Sequence, residues 1–315
     1  MGQTCTTFCG NCTNEVKTID EDPLGHETPK NNALPSIQKL PETSADYREE
    51  IHTKKRNNLK GQASRAEPPP TTYSGDTLEK RGEVELANGA RYTGEWLGQE
   101  RHGYGIQMWK DGSQYKGQWA NDKANGHGTL HHADGDVYEG EWKNDKAHGQ
   151  GTYKHANGAK YDGEWVNDKQ HGHGIETWPD RAKYEGEYKN GKKDGKGKLI
   201  FADQSQYDGE FRDNEINGFG IYQWTDGKRY EGYWESNKMM GEGELTWKDK
   251  KSYNGQFVND KRNGFGVFKW GDGREYRGQW KDGKQHGPGE FRDRKGETKK
   301  GTWVNGKRES WENEK

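Results

Sequence analysis

The chain has 315 residues, and its 50 Lys and Arg nearly balance 52 Asp and Glu, so the net charge of −2 gives no reason to expect nucleic acid as a partner. Leu, Ile, Val and Phe make up about a tenth of the residues, which excludes a conventional domain with an aliphatic core. No run approaches the ~20 apolar residues of a membrane-spanning helix. The 46 Gly and 13 Trp instead favour a thin structure in which aromatic rings lie over glycine.

Residues 1–12 contain a candidate lipidation motif. The opening Met-Gly-Gln-Thr-Cys-Thr fits the acceptor pattern for N-myristoylation of Gly2. Because one acyl chain holds a protein only marginally, a second signal is needed, and Cys5, Cys9 and Cys12 are candidates for palmitoylation. Two alternatives remain: the cysteines are incidental, or the C-x-x-C of Cys9 and Cys12 is redox-active or half of a zinc site.

Residues 13–80 are predicted to be a disordered polar linker. The segment is polar and rich in proline, and it holds too little apolar surface to fold. Its basic run, residues 52–56, is either a solvated charge cluster or a patch for lipid or a partner. The composition changes after this linker, so we expect a repeat rod over 81–311 and a short tail over 312–315.

A period of 23 residues runs through the rod. The pattern Tyr-x-Gly-x-aromatic recurs nine times in phase with a Gly-x-Gly eleven residues later. A tenth unit has Lys299 in place of the tyrosine and resembles a cap. The glycines of the first units are predicted to be structural: Gly94, Gly103, Gly105, Gly117, Gly126, Gly128, Gly140, Gly149, Gly151, Gly163, Gly172 and Gly174.

Each repeat is predicted to be one β-hairpin. Tyr-x-Gly-x-Trp alternates with period two, which indicates a strand with Tyr, Gly and Trp on one face. Asn-Asp pairs such as Asn167-Asp168 tolerate the positive φ of a two-residue turn. Because the period is odd, the second turn needs an extra residue, most simply a three-residue loop with Gly in the left-handed region. Irregular turns without a break are expected where that Gly is missing, at 180–181, 203–204 and 249–250.

The turn also predicts the register. If Val166 faces Lys169, then Gly163 opposes Gly172 and Tyr161 opposes Gly174, so the tyrosine ring can cover a glycine. The same register pairs glutamate or glutamine with histidine on the other face, in the pairs Glu164–His171, Glu95–His102, Glu141–His148 and Gln279–His286.

The repeated Tyr-x-Gly-Glu-Trp, His-Gly-x-Gly and Asp-Gly at this spacing resemble the MORN-repeat family (membrane occupation and recognition nexus) over residues 82–304. The resemblance implies an all-β fold: an elongated, single-layer, twisted antiparallel sheet of about ten hairpins. It also implies a structural role, since family members organise membrane–cytoskeleton contacts, cortical assemblies, ciliary radial spokes and lipid kinases.

The aromatic face is the predicted partner-binding groove. A single-layer sheet does not cover both faces, so a strip of rings over glycine should stay partly open to a protein segment or a second copy of the chain. The predicted groove residues are Tyr92, Trp96, Tyr115, Trp119, Tyr138, Trp142, Tyr161, Trp165, Tyr184, Tyr188, Tyr207, Phe211, Tyr230, Trp234, Tyr253, Phe257, Tyr276 and Trp280.

Enzyme and metal functions are not expected. Four of the 11 histidines, His102, His148, His171 and His286, occupy one repeat position. Neighbours such as His148 and His171 would lie about 10 Å apart across two strands, which is too far to share a zinc ion, and cross-strand pairing with Glu explains them better. Gly-x-Gly does not open a helix, so a phosphate loop is excluded. We therefore predict no catalytic residue, no metal and no cofactor.

A lysine column lines the hairpin tips. It either contacts anionic phospholipid or is solvated beside neighbouring aspartates. Its members are Lys123, Lys146, Lys169, Lys192, Lys238, Lys261, Lys284 and Lys307.

The leading hypothesis is a non-enzymatic scaffold held by its lipidated amino terminus at the cytoplasmic face of a membrane, at the plasma membrane, the cortex or a cilium. The rod would then organise protein partners. The alternatives are a soluble axonemal subunit that resembles radial-spoke components, and a regulatory partner of a phosphatidylinositol phosphate kinase.

Overall fold

The computed structural model describes residues 77–312. The lipidation candidates Gly2, Cys5, Cys9 and Cys12, the linker up to residue 76 and the basic run 52–56 lie outside the described residues. Over the described range, no helix has the length and apolar character needed to cross a membrane.

The described chain forms one antiparallel sheet of 21 strands. Each strand from β2 to β20 pairs with the strand before it and the strand after it, so the sheet is an open meander. The predicted all-β, single-sheet fold is confirmed. The strands are β1 (Glu79–Glu85), β2 (Arg91–Leu97), β3 (Glu100–Met108), β4 (Gln114–Ala120), β5 (Lys123–His131), β6 (Val137–Lys143), β7 (Lys146–Lys154), β8 (Lys160–Val166), β9 (Lys169–Thr177), β10 (Lys183–Lys189), β11 (Lys192–Ile200), β12 (Gln206–Arg212), β13 (Glu215–Gln223), β14 (Arg229–Glu235), β15 (Lys238–Thr246), β16 (Ser252–Val258), β17 (Lys261–Lys269), β18 (Glu275–Lys281), β19 (Lys284–Arg292), β20 (Thr298–Val304) and β21 (Lys307–Trp311).

Two kinds of turn connect the strands. At the hairpin tips both central residues are left-handed, as in Asn121 (φ 50°) and Asp122 (φ 63°), which is the predicted two-residue turn. In the other turn, Trp109 N–H donates to the Ser113 carbonyl and Gly112 (φ 90°) N–H donates back to the Trp109 carbonyl. This closes the predicted three-residue loop with its left-handed glycine.

The turns that lack the glycine are regular, so the expected irregularity was wrong. Arg181, Gln204 and Lys250 adopt φ of 73°, 71° and 67° and make the same hydrogen bonds as glycine does elsewhere. Hydrogen bonds on both sides of each turn hold these side-chain-bearing residues in a conformation that they rarely adopt. As predicted, the sheet continues through these turns without a break.

The predicted register holds at the tip and fails beyond it. Val166 pairs with Lys169 and Glu164 with His171, but Gly163 pairs with Gly174, and Tyr161 with Glu176 instead of Gly174. A bulge of two extra residues in the Gly-x-Gly strand shifts the pairing. Its first glycine, Gly172, has a φ of 56°, which a glycine adopts without strain.

The hairpin tips also hydrogen-bond to one another across repeats. The Asp145 carboxylate accepts from the backbone N–H of Ala124 (2.7 Å), and the Asp145 N–H donates to the Ala124 carbonyl (3.0 Å). Asp168 repeats both bonds on Ala147. The second tip residue therefore joins each repeat to the repeat before it.

Candidate functional site: the aromatic face and its pocket

The rings predicted to line an open groove are buried, so that prediction was wrong as a description of an exposed strip. The nine repeat tyrosines are at most 1% exposed, and the aromatic residues four positions later are at most 9% exposed. The rings are themselves the core of the sheet, because each one is covered by rings of its own repeat and of the next.

Tyr161 shows how one unit is built. Its ring meets Trp165 and Tyr188 edge-on, with centroids 5.1 Å away in both pairs, and its hydroxyl donates to the Glu164 carbonyl (3.0 Å). The ring lies across a glycine pair, and a Cβ on Gly174 would lie 2.4 Å from the tyrosine hydroxyl oxygen. The predicted contact between ring and glycine is therefore present, although the two residues are not opposed in register.

On the opposite face Glu164 and His171 oppose each other as predicted, but the glutamate and histidine side chains hydrogen-bond to backbone groups and not to each other. Glu164 Oε1 accepts from the backbone N–H of His173 inside the bulge (3.1 Å), and Glu95 does the same for Tyr104 (2.6 Å). His102 Nδ1 instead accepts from the N–H of Asn121 at the next tip (3.4 Å). Both side chains satisfy backbone groups that the bulge and the tip leave unpaired.

A column of residues beside the aromatic face decides how far that face is covered. We call it the flanking column. Each member lies nine residues after a repeat tyrosine and opposes the aromatic residue of its own hairpin. Its members are Arg101, Ala124, Ala147, Gln170, Lys193, Ile216, Met239, Arg262 and Gln285.

Lys193 fills its part of the face completely. The side chain is fully buried, its ammonium bonds Glu176 (2.8 Å), and it lies 5.0–5.5 Å from the ring centroids of Tyr184, Tyr188 and Trp178. The Tyr188 hydroxyl donates to the same carboxylate (2.9 Å). Burial, and after it the charge of Glu176, raises the pKa of Tyr188 well above its usual range, so the tyrosine stays neutral.

Arg101 and Arg262 cover the face in a second way. The Arg262 guanidinium lies 5.7 Å from the Tyr253 ring and 4.5 Å from the Trp280 ring of the next repeat, and it donates to the Gly283 carbonyl at the next tip (2.8 Å). Burial lowers the pKa of Arg262 to about 10, which leaves it charged at neutral pH.

A pocket of about 280 Å³ opens where the flanking column has alanine. Ala124 lies at its base, and aromatic rings and aspartates surround it. The other residues that line the pocket are Asn88, Arg101, Gln107, Trp109, Ser113, Tyr115, Trp119, Leu130, His132, Asp134, Asp136, Trp142, Asp145, Tyr153 and Asp168.

Four carboxylates and one guanidinium give the pocket lining a negative balance. Burial raises the pKa of Asp145, and the hydrogen bond from Ala124 offsets this only in part. Burial also acts to raise the pKa of Asp136, but hydrogen bonds from Tyr153 and Ala156 and the nearby His155 outweigh it and lower that pKa. The pocket therefore suits a cation. In the sequence, the small residue Ala124 in the flanking column could have indicated this pocket, but the search for motifs missed it.

The opposite face carries exposed rings that were also missed. Tyr104, Phe219 and Phe265 occupy the middle of Gly-x-Gly, and Tyr233 replaces the usual glutamate; they are 43–53% exposed. The ring centroids of Phe219 and Tyr233 lie 5.5 Å apart. Within residues 77–312, no three His, Cys, Asp or Glu side chains lie together as a metal site requires.

The MORN-repeat family model matches the chain in ten consecutive segments from residue 92 to residue 309. The chain belongs to the MORN-repeat family. MORN-repeat proteins are in general non-enzymatic, and membership suggests a repeat-based scaffold for protein interaction or membrane association.

Other comparisons add no function. Curated proteins give no significant match. Among solved structures, the TCP domain of SAS-4 from Drosophila melanogaster, in complex with a proline-rich motif of Ana2, aligns at 14% identity over 62% of this chain and 99% of its own, with a TM-score of 0.32. The CPAP G-box domain aligns at 11% identity over 72% of this chain and 100% of its own, with a TM-score of 0.33. Virginiamycin B lyase from Staphylococcus aureus aligns at 11% identity over 74% of this chain and 97% of its own, with a TM-score of 0.16. These TM-scores support no conclusion about this MORN-repeat chain.

Proposed function

We propose that this protein is a non-enzymatic scaffold that a lipidated amino terminus holds at the cytoplasmic face of a membrane while the MORN-repeat sheet binds protein partners. Partner binding is supported by one observation: the pocket at Ala124 interrupts an aromatic face that is otherwise covered. Pockets with apolar walls and a few polar groups are the usual sites of recognition.

The membrane half of the proposal is supported by sequence. Gly2 stands in an acceptor pattern for myristate, and Cys5, Cys9 and Cys12 lie close enough to supply the second acyl chain that stable anchoring needs. The hairpin-tip lysines, which are exposed at every tip that has one, would add attraction to anionic lipid. Lys192 and Lys261 face aspartates of the next tip at 2.9 and 3.8 Å, which weakens that attraction.

The test compares the full-length wild type with Gly2→Ala, using Gly10→Ala as the matched control, because Gly10 lies outside the acceptor pattern. Wild type and Gly10→Ala should incorporate an alkynyl myristate and sediment with membranes. Gly2→Ala should lose the label and move to the soluble fraction. In-cell crosslinking of the two membrane-bound forms should recover the same partner proteins.

If wild type carries no label, or if Gly2→Ala sediments like wild type, the membrane-tethered scaffold is wrong. Equal recovery of all three forms with axonemes would favour the structural subunit of the axoneme. Copurifying phosphatidylinositol phosphate kinase activity would favour the kinase partner. Flotation of the Gly2→Ala protein with anionic liposomes measures whether the lysine column contributes on its own.

A further inference from the structure

The two arginines of the flanking column lie in equivalent sets of surrounding side chains, and we call such a set a mould. Around Arg101, the mould consists of Tyr92 of its own hairpin, Gln107 farther along its own strand β3, Trp119 of the next hairpin and Asp122 of the next tip. The guanidinium lies 4.3 Å from the Trp119 ring centroid, and its Nε donates to the Asp122 carboxylate (3.0 Å).

Arg262 occupies the corresponding mould seven repeats later. Its guanidinium faces Tyr253, Phe268 and Trp280, which stand at the same repeat positions as the residues around Arg101. Its acceptor at the next tip is the backbone carbonyl of Gly283, and Arg101 likewise donates to the backbone carbonyl of Asp122 in addition to the Asp122 carboxylate. Two independent repeats therefore bind a guanidinium in the same way, with rings against its faces and an oxygen of the next tip as the acceptor.

In the repeat that begins at Tyr115, the same mould has no arginine of its own. The equivalent positions are Tyr115, Leu130, Trp142 and Asp145, and all four line the pocket whose base is Ala124. Alanine ends at Cβ, so the space that a guanidinium fills in two other repeats is part of the 280 Å³ pocket. The following repeat also has an alanine, Ala147, and Asp168 of the tip after that repeat, which bonds the Ala147 N–H, extends the same lining.

We propose that this pocket receives an arginine side chain of a bound partner protein, which takes the place that Arg101 and Arg262 take in their own repeats. The inference rests on the proposed function, because the arginine belongs to the partner that the scaffold recruits. This repeat has alanine where two other repeats have arginine, but it retains the aromatic rings and the tip carboxylate that would bind a guanidinium.

The charged residues that line this space favour a cation as its ligand. Asp134, Asp136, Asp145 and Asp168 line it, whereas its one guanidinium, Arg101, is already paired with Asp122. The Asp145 carboxylate lines the pocket and accepts from the N–H of Ala124 through Oδ1, and an ionised carboxylate can accept further hydrogen bonds through its second oxygen. A guanidinium is planar and carries several donors, so it meets rings and carboxylate together better than an ammonium does.

The experiment titrates full-length protein with Nα-acetyl-arginine amide and follows the tryptophan indole N–H signals by NMR. Nα-acetyl-citrulline amide, which has nearly the same shape but no charge, is the matched ligand. We expect arginine amide to shift the indole signals of Trp119 and Trp142 and to bind at least roughly tenfold more tightly than citrulline amide. Equal binding of the two ligands, or no binding of arginine amide, would overturn the proposal.

Three variants locate the site. Ala124→Arg supplies the missing side chain, should fold because Arg101 and Arg262 occupy the same column, and should abolish binding. Met239→Arg adds the same charge to the column outside the pocket and should leave binding unchanged. Asp145→Asn keeps the bond to Ala124, as Asn214 and Asn237 do at their tips, and should weaken binding roughly tenfold.

The proposal is contradicted if Ala124→Arg binds arginine amide like wild type, or if Met239→Arg loses binding equally. Its failure is separable from failure of the scaffold function, because the Gly2→Ala fractionation does not involve Ala124. If Ala124→Arg loses arginine amide and also loses crosslinked partners that Met239→Arg retains, the pocket is the site at which the scaffold holds them.

Discussion

At the scale of single residues, glycine and tyrosine depend on each other. The ring of Tyr161 lies so close over its glycine pair that a Cβ on Gly163 or Gly174 would come within 2.7 Å of the tyrosine hydroxyl oxygen. The same close approach recurs under the other repeat tyrosines. Glycine is therefore needed there for space and not for an unusual backbone angle, whereas Gly172 is needed for its positive φ.

Gly174→Ala should destabilise the sheet by roughly 1–3 kcal/mol, because the added methyl group pushes Tyr161 off its ring contacts. Gly82→Ala is the matched control, since a Cβ at Gly82 meets nothing within 4 Å. It should be neutral or slightly stabilising. Urea unfolding of both full-length variants measures the difference, and equal free energies of unfolding would show that ring-over-glycine packing is not what constrains position 174.

Asp136 makes stability depend on pH. Its folded-state pKa is lowered, so the carboxylate stabilises the sheet above the unfolded pKa of about 4, and this contribution is lost as pH falls through the folded pKa. Asp136→Asn should cost roughly 1–2 kcal/mol at pH 7, because neutral hydrogen bonds replace charged ones. The difference from wild type should shrink below about pH 4. Chemical unfolding at pH 7 and pH 3.5 checks this, and a pH-independent difference would contradict it.

At the scale of one element, a hairpin is stable only against its neighbours. The tip of each repeat bonds the strand edge of the previous repeat, as Asp145 does with Ala124, and each ring is covered partly by the next hairpin. The flanking column varies from repeat to repeat in both charge and size. It places a buried ion pair at Lys193 and the apolar Ile216 at the same position one repeat later.

Lys193→Ala should destabilise the sheet by about 3–5 kcal/mol, because it leaves the Glu176 carboxylate buried with only the Tyr188 hydroxyl. The triple variant Glu176→Leu, Tyr188→Phe, Lys193→Ile copies the next repeat, which has Leu199, Phe211 and Ile216 at these three positions. It should recover most of the loss, because apolar residues of suitable volume replace a buried ion pair at little cost, and Phe leaves no buried hydroxyl without an acceptor. Thermal unfolding compares wild type with the two variants, and a triple variant as unstable as the single one would refute the explanation.

At the scale of the whole molecule, the described sheet is held mainly by contacts between consecutive strands and between neighbouring repeats. Every strand from β2 to β20 pairs on both sides, whereas pairing on one side is recorded for β1 and for β21. Stability in such an array accumulates from repeat to repeat, so the ends open at a lower free energy than the middle.

Hydrogen exchange should therefore be graded along the chain. Backbone amides in β1 and β21 should exchange at least roughly tenfold faster than those in β9–β13, where each repeat has neighbours on both sides. Mass spectrometry of peptides from the full-length protein measures this gradient. Equal protection from β1 to β21 would show that the sheet unfolds as a single cooperative unit.

The sequence by itself determined the number and kind of elements. The 23-residue period, the alternation Tyr-x-Gly-x-Trp and the Asn-Asp pairs predict one hairpin per repeat, and the odd period predicts the three-residue loop at Gly112. These features follow from local backbone preferences, which one repeat already contains. The contact of tyrosine with glycine could also be predicted, because it lies between two strands joined by one turn.

The tertiary structure alone decided the contacts between repeats. The bulge at Gly172 moved Tyr161 two residues from its predicted partner, and neighbouring hairpins buried the rings that a single hairpin leaves exposed. The pocket at Ala124 likewise depends on Trp142 and Asp145, which belong to the next hairpin. A repeat pattern specifies each unit, but side chains from adjoining units determine which parts of the aromatic face are covered and which stay open.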